Sequence, residues 1–250
     1  MPKISAIIEA RVNSTRLPGK ILLKINKKTI LEHLVNKVKR SKNLNDIIIA
    51  TTLNKSDDQI VKIAKKLKVK FFRGDEKNVL KRVIDAADHF KVDIIVRITS
   101  DCPLIDLNLV DQYIDIFKNN KVDLVGNAKI RSYPDGMDIE VLCFKSLKKT
   151  YKFAKDDYLR EHPCLTMYKK KNLFKFINII ATPKEFFPNL HLTLDEYKDF
   201  VLIKKIIQYS QLIKKDLNCS EIIELVKKKN WHKINDRINR LKHREYIYKE

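Results

Sequence analysis

Through the first half of the chain, short runs of β-branched and other apolar residues alternate with stretches in which apolar residues recur every three or four positions. Ser5 to Ala10 reads as a strand, and Ile30 to Val38 as a helix. Ile47 to Thr52 is rich enough in isoleucine and threonine to predict a buried strand. Ser56 and Gln59 have the spacing of a capping box, and Ile60, Ile63, Ala64 and Leu67 continue with a helical period. Val69 to Phe72 is a further short strand, and Val79, Val83, Ala86, Ala87 and Phe90 mark the next helix. Val92 to Thr99 is the third long apolar strand. Asp106 is placed to cap a helix carrying Leu109, Val110, Tyr113, Ile114 and Phe117. Strands separated by helices of this length predict a mostly parallel sheet covered on both faces, an α/β Rossmann-like three-layer sandwich.

Beyond about residue 126 the alternation is less regular. Pro134-Asp135-Gly136 is a turn signal that leads into a strand expected over Met137 to Phe144. Phe174 to Ile180 and Leu190 to Leu194 read as further strands. Residues 204–250 read as a basic helical C-terminal extension whose tail contains Arg237, Arg240, Lys242 and Arg244. With no internal repeat, residues 1–250 are expected to form one domain.

Composition narrows the class of protein. Hydrophobic residues at 44% and charged residues at 33% suit a water-soluble globule, and only 4 Gly and 7 Pro exclude low-complexity sequence. The apolar start is interrupted by Glu9 and Arg11, too early for a signal peptide, and no later run is long enough to span a bilayer. A cytoplasmic protein is therefore expected. Cys102, Cys143, Cys164 and Cys219 are widely separated without a C-x-x-C pair, which argues against a disulfide framework or a structural zinc site. The net charge of +21 raises the question of nucleic acid. However, the 41 lysines far outnumber the 11 arginines and are scattered along the whole chain. A solvated basic surface explains them better.

Candidate chemistry begins directly after the first strand, at Ala10-Arg11-Val12-Asn13-Ser14-Thr15-Arg16-Leu17-Pro18-Gly19-Lys20. This loop gathers two arginines, a lysine and several hydroxyl or amide side chains at the carboxyl end of a strand, where open α/β sheets bind ligands. Fixed cations there suit a triphosphate and its pyrophosphate leaving group. The loop is neither a Walker A sequence nor G-x-G-x-x-G.

The spacing Ala-Arg-x-x-Ser-x-Arg-Leu-Pro-Gly-Lys resembles the phosphate-binding signature of cytidylyltransferases that activate acid sugars, the spore-coat polysaccharide group above all. Four further segments resemble that family in order: Phe72 to Leu80, Arg97 to Ile105, Arg131 to Val141, and the pair Arg160-Glu161-His162 with Leu192 to Glu196. The resemblance spans Ile4 to about Phe200. It implies transfer of CMP from CTP to an acid sugar or a phosphorylated small molecule, with Mg²⁺ as cofactor and a homodimer as the assembly. Arg11, Arg16, Lys20 and Asp101 are the implied catalytic residues. Nucleotide contacts are implied at Ala10, Arg11, Ser14, Arg16, Lys20, Arg73, Asp75, Thr99 and Ser100. Asp101, at the end of a buried strand before Pro103, is the first expected metal carboxylate, and Asp195 matches a second.

Other readings of these residues stay open at this point. Asp195 could cap the helix that follows it, and Arg73 with Asp75 could form a turn with a surface ion pair. Asp138 and Glu140 are expected on one face of a strand, for a metal, for acceptor hydroxyls or for solvent. Arg131, Tyr133, Arg160 and His162 complete the acceptor candidates, and an arginine pair would suit an acceptor carboxylate or phosphate. Arg160 and Glu161 could equally pair on a helix surface. His33, His89, His191, His232 and His243 read as structural or exposed. Lys81, Cys164 and Glu9 are departures from the pattern beside these motifs. Competing functions are a transferase using another nucleotide, a related glycosyltransferase, and a nucleic-acid-binding protein.

Overall fold

The computed structural model describes residues 1–236. Its centre is a seven-stranded sheet built from β1 (Ile4–Glu9), β4 (Asp46–Thr52), β5 (Lys70–Gly74), β6 (Ile94–Thr99), β7 (Leu124–Gly126), β8 (Glu140–Cys143) and β9 (Phe176–Asn178). The spatial order is β5-β4-β1-β6-β8-β7-β9. The first four strands are mutually parallel, β8 is antiparallel to both β6 and β7, and β9 is parallel to β7. Two short strands, β2 (Lys24–Ile25) and β3 (Lys28–Thr29), form a separate antiparallel pair.

Strand residues alternate strictly between two apolar clusters. Ala6, Ile8, Ile47, Ile49, Val96 and Ile98 face one layer, whereas Ile7, Ile48, Ala50 and Ile95 face the other. The first layer holds α1 (Ile30–Val38), α2 (Asp58–Lys66), α4 (Leu107–Asn119), α8 (Tyr197–Leu212) and α9 (Cys219–Lys228). The second holds α3 (Val79–His89), α5 (Phe144–Thr150) and α7 (Leu165–Lys169), with the short α6 (Asp157–Glu161) beside α3. This is the three-layer α/β sandwich that the hydrophobic pattern predicts. Burial of each central isoleucine contributes about 1.5–3 kcal/mol, and those on β1, β4 and β6 lie on both faces of the same strands.

Capping residues decide several boundaries. Thr29 and Glu32 form a capping box on α1, and Asp106 caps α4 as its position suggests. The start of α2 is different. Ser56 does not cap it; its hydroxyl is buried without a partner, and the helix begins at Asp58 after one turn of 3-10 helix over Lys55–Asp57. Asp57 prefers a tertiary role, accepting from the backbone N–H groups of Val12 (2.8 Å) and Thr52 (3.3 Å) and from the Thr52 hydroxyl.

The second half departs further from the pattern. The strand expected over Met137 to Phe144 is confined to β8, so Asp138 precedes it. Leu190 to Leu194 makes only one bridge, Asp135 to His191, and otherwise runs extended. Its apolar residues are explained by burial: Leu190, Leu192 and Leu194 all enter the first core layer. Gly136, at φ 101°, lies so close to this segment that a Cβ would meet the Leu192 carbonyl carbon at 2.7 Å. Apolar side chains of α8 and α9, among them Ile203, Ile206, Ile222 and Val226, also join that core. The basic positions Arg237, Arg240, Lys242 and Arg244, and His243, lie outside the described residues. Among the described residues, no helix is long and apolar enough to cross a membrane.

Candidate active site

The loop from Ala10 to Lys20 leaves the carboxyl end of β1 and folds back on itself. The Val12 carbonyl accepts from the backbone N–H groups of Ser14 (2.9 Å) and Gly19 (3.0 Å). Gly19 sits at φ 71°, a left-handed conformation that favours glycine and turns the chain into a 3-10 turn over Lys20–Leu22. From outside, Asp57 fixes the loop by accepting the Val12 N–H. Backbone bonds and the Asp57 carboxylate thus set the loop's shape, and its Arg16 and Lys20 side chains turn toward Asp101 and Asp195.

Lys20 is the centre of that site. Its ammonium donates to Asp101 Oδ2 at 2.7 Å and to Asp195 Oδ1 at 2.9 Å, and Asp195 also pairs with Arg16 at 2.9 Å. Asp101 follows β6, while Asp195 arrives from the extended segment whose Leu194 N–H bonds the Asp101 carbonyl at 2.8 Å. The Asp195 side chain does not cap α8; that position belongs to Glu196, and Asp199 accepts the backbone N–H groups of Asp195 and Glu196. Burial alone would lower the Lys20 pKa, but attraction and hydrogen bonds from Asp101 and Asp195 outweigh it and raise the value above 10.5. For Asp101 the opposite balance holds. Burial favours the neutral acid, yet Lys20 keeps the carboxyl below its ordinary range.

A cavity of about 170 Å³ adjoins this cluster and is lined by Arg97, Thr99, Arg131, Asp138, Glu140 and His162, with Cys164 and Tyr168 among its further walls. Because β8 runs antiparallel to β6, its first residue Glu140 pairs in register with Arg97. Arg97 makes a two-pronged contact with Glu9 (2.5 and 2.9 Å) and a third bond to Glu140 at 2.6 Å. Against the desolvation that would lower it, the two glutamates hold the Arg97 pKa well above its ordinary value. Arg131 lies between Asp135 (3.1 Å) and Asp138 (3.3 Å). Burial first, and Arg97 second, lower the His162 pKa, so its imidazole is neutral at pH 7.

The residues singled out in the sequence therefore separate into groups. Arg16, Lys20, Asp101 and Asp195 converge directly. Arg131, Asp138, Glu140, His162 and Thr99 share the adjoining cavity. Ala10 is buried at the loop's start, and Ser100 follows β6 with its N–H on the Glu9 carbonyl at 3.1 Å. Ser14 is half-buried within the loop, and Arg11 reaches outward to Glu161 at 3.5 Å. Arg73 bonds the carbonyls of Thr52 and Asn54 and the Asp58 carboxylate, while Asp75 accepts the N–H groups of Lys77 and Asn78. Tyr133 is buried in the core, and Arg160 bonds the Ala154 carbonyl outside the cavity lining. Three contributors escaped sequence reasoning: Asp57, Arg97 as an ion-pair centre, and Arg82. Arg82 is buried and donates to the carbonyls of Asp75 (2.5 Å) and Glu76 (3.2 Å), which ties the Phe72–Leu80 segment to α3. The usable signal for Arg97 was an arginine inside an otherwise apolar strand.

The donor set suits a divalent ion. Two carboxylates sharing one counter-cation at the carboxyl end of a sheet fit Mg²⁺, which takes one or two carboxylates and completes its shell with phosphate oxygens and water. Among the described residues there is no cluster of three or more acidic, histidine or cysteine ligands, so an all-protein metal cage is not what this site offers.

A mostly parallel α/β sheet with a basic loop and paired carboxylates at its carboxyl edge is an arrangement suited to binding a nucleotide's phosphates. Residues 5–246 match the cytidylyltransferase family, and the chain belongs to it. It is 31% identical to the spore coat polysaccharide biosynthesis protein SpsF of Bacillus subtilis, over 90% of this chain and 95% of that protein. Over about half of each chain, it is 34% identical to the 3-deoxy-manno-octulosonate cytidylyltransferase of Solibacter usitatus. A solved cytidylyltransferase structure from Leptospira borgpetersenii superposes with a TM-score of 0.89 at 34% identity, covering 95% of this chain and 99% of that one. The chain is therefore an enzyme of cytidylyl transfer, with CTP as donor.

Proposed function

We propose that this enzyme transfers CMP from CTP to an acid sugar in the synthesis of a surface glycan, and that loop 10–20 with Asp101 and Asp195 is where the triphosphate and Mg²⁺ bind. The observation that carries this reading is the shared Lys20 contact, which brings a buried cation and two carboxylates to one point beside the basic loop. The acid-sugar acceptor is supported by the relative from Solibacter usitatus, whose name specifies such a substrate. The glycan context is supported by the spore-coat relative.

In the reaction an acceptor hydroxyl oxygen attacks the α-phosphorus of CTP and its proton passes to solvent water. A new P–O bond to the acceptor forms, the bond to the bridging oxygen breaks, and pyrophosphate leaves with the bonding pair. Lys20 and Arg16 supply fixed positive charge where the leaving group gains negative charge. Asp101 and Asp195 would hold Mg²⁺, which supplies charge neutralisation across the phosphates when bound. Asp57 and Gly19 keep the loop in shape before substrate arrives. Arg97, through Glu9 and Glu140, fixes the wall between loop and cavity. The acceptor binds in the cavity beside Glu140 and His162. The absence of a membrane-spanning helix among the described residues fits a cytoplasmic enzyme, and a homodimer remains part of the proposal on family resemblance.

The test is pyrophosphate release with Mg²⁺, with each of the four nucleoside triphosphates offered against a panel of acid sugars. Release that needs CTP and an acid sugar together supports the reading. Release with phosphorylated polyols alone would replace the acceptor, and equal use of all four nucleotides would refute CTP selection.

A further inference from the structure

Asp195 reaches the active site on a stretch of chain that belongs to no strand. The backbone of this stretch bonds Asp135 through Leu190 and Leu192, and Asp101 through Leu194. Apart from one bridge, Asp135 to His191, no sheet ladder holds it among the described residues. A carboxylate that must meet a reacting group to within about 0.5 Å needs further ties. They come from α8 and from the end of the described chain. The buried Asp199 carboxylate accepts, at Oδ2, the backbone N–H groups of Asp195 (3.0 Å) and Glu196 (2.8 Å). Its Oδ1 accepts from the side-chain amide of Asn235 at 2.7 Å. The same amide nitrogen donates to the His191 carbonyl at 2.9 Å, so both of its hydrogens are used.

Asn235 therefore spans the stretch, holding its start at His191 and its end through Asp199. It is 1% exposed and comes from 36 residues beyond Asp199. Its own place is well set. After α9, Asn230 at φ 56° turns the chain into a 3-10 turn over Trp231–Ile234. Trp231 packs edge-on against Tyr209 of α8, and the Lys205 ammonium lies over its ring. Resting on the assignment of Asp195 as a metal ligand, we infer that Asn235 is a positioning residue for cytidylyl transfer. Through Asp199 and the His191 carbonyl it fixes the backbone that presents the Asp195 carboxylate to Mg²⁺ and the triphosphate. The segment after α9 is thereby part of the catalytic architecture. Groups that orient a metal's ligands change metal affinity about 10–100-fold when removed.

The experiment reads metal binding separately from turnover. Mn²⁺, in place of Mg²⁺, is titrated into the full chain with α,β-methylene CTP, and binding is followed by water-proton relaxation. Asn235→Ala is expected to raise the half-saturating Mn²⁺ concentration by about tenfold or more. Amide exchange at Asp195 and Glu196 should quicken in the metal-free variant. Asp195→Asn raises the same concentration by itself. Adding Asn235→Ala to it should change the value by less than about twofold, because the second substitution acts through the first residue. Val226→Ala, which opens the core beneath α9, should lower the melting point and leave the Mn²⁺ constant unchanged. Asn235→Ser keeps one donor and should fall between wild type and Asn235→Ala. An unchanged constant in Asn235→Ala, or shifts that multiply in the double variant, overturns this inference and leaves the enzyme's function standing. Failure of both Asn235 variants to fold does the same, since it assigns the residue to stability alone. An unchanged constant in Asp195→Asn overturns the metal reading, and this inference with it.

Discussion

Replacing Lys20 by methionine keeps most of the side chain's volume and removes the one charge that Asp101 and Asp195 share. All three groups are well sheltered, with side-chain exposures of 11%, 22% and 12%. Removing one partner from a buried ion pair costs about 3–5 kcal/mol. Arg16 continues to neutralise Asp195, so the lower end, about 3 kcal/mol, is expected. In a chain of this size that corresponds to a melting point lower by roughly 6–12 °C. Turnover is expected to fall by about 10²–10³, the usual effect of deleting one fixed group that stabilises transition-state charge. Added Mg²⁺ then supplies a discriminating signal. In wild type the ion competes with Lys20 for the two carboxylates; in Lys20→Met that competition is gone. Thermal unfolding with and without millimolar Mg²⁺ should therefore show a larger stabilisation of the variant than of wild type, although the variant turns over far more slowly. A variant with wild-type melting, wild-type turnover and no extra response to Mg²⁺ would refute the assignment of this cluster.

The same cluster sets a pH dependence. Asp101 has a folded pKa below the ordinary 3.8, so its contribution is present above that value and is lost as pH falls through the folded pKa. Lys20 is raised above 10.5, so its contribution is complete below that value and is lost as pH rises through the folded pKa. The destabilisation by Lys20→Met should be flat between roughly pH 5 and 9 and shrink outside that window, as read from denaturant titrations. Asp57→Ala removes the acceptor of the Val12 and Thr52 N–H groups, and should cost about 1–3 kcal/mol and raise KM for CTP. Gly136→Ala places a Cβ against the backbone of Leu192 and Thr193 at a positive φ, and should lower stability by about 1–3 kcal/mol or more in chemical denaturation. Glu161→Gln removes only an exposed pair at 3.5 Å, and should change melting by less than about 1 kcal/mol; a larger loss would assign Arg11 a structural role.

The parallel half of the fold is readable in the sequence because β1, β4 and β6 are buried on both faces and are apolar at most positions, while α1 and α3 repeat with a helical period. The antiparallel half is harder to read. β7, β8 and β9 have only three or four residues each, too few for a period to emerge, and Leu190 to Leu194 is apolar because it is buried, without joining the sheet. The Ser56 capping box was misleading because a local motif competed with a tertiary demand: Asp57 bonds Val12, 45 residues away in sequence. For the site, the loop residues and Asp101 stand in one legible motif, but Asp195 meets Lys20 only through folding, across 175 residues. Local spacing also could not show that Arg97 and Arg131 each pair with carboxylates brought together only by folding.

The most direct test of the central claim follows the α-phosphorus itself. The enzyme is incubated with CTP labelled at the α-phosphate, Mg²⁺ and an acid-sugar acceptor, and the products are separated. Label should appear in a CMP–sugar phosphodiester, in equal amount to unlabelled pyrophosphate, and both should vanish in Asp101→Asn. Label retained in CDP or in free CMP, with the sugar unchanged, would contradict cytidylyl transfer by this site.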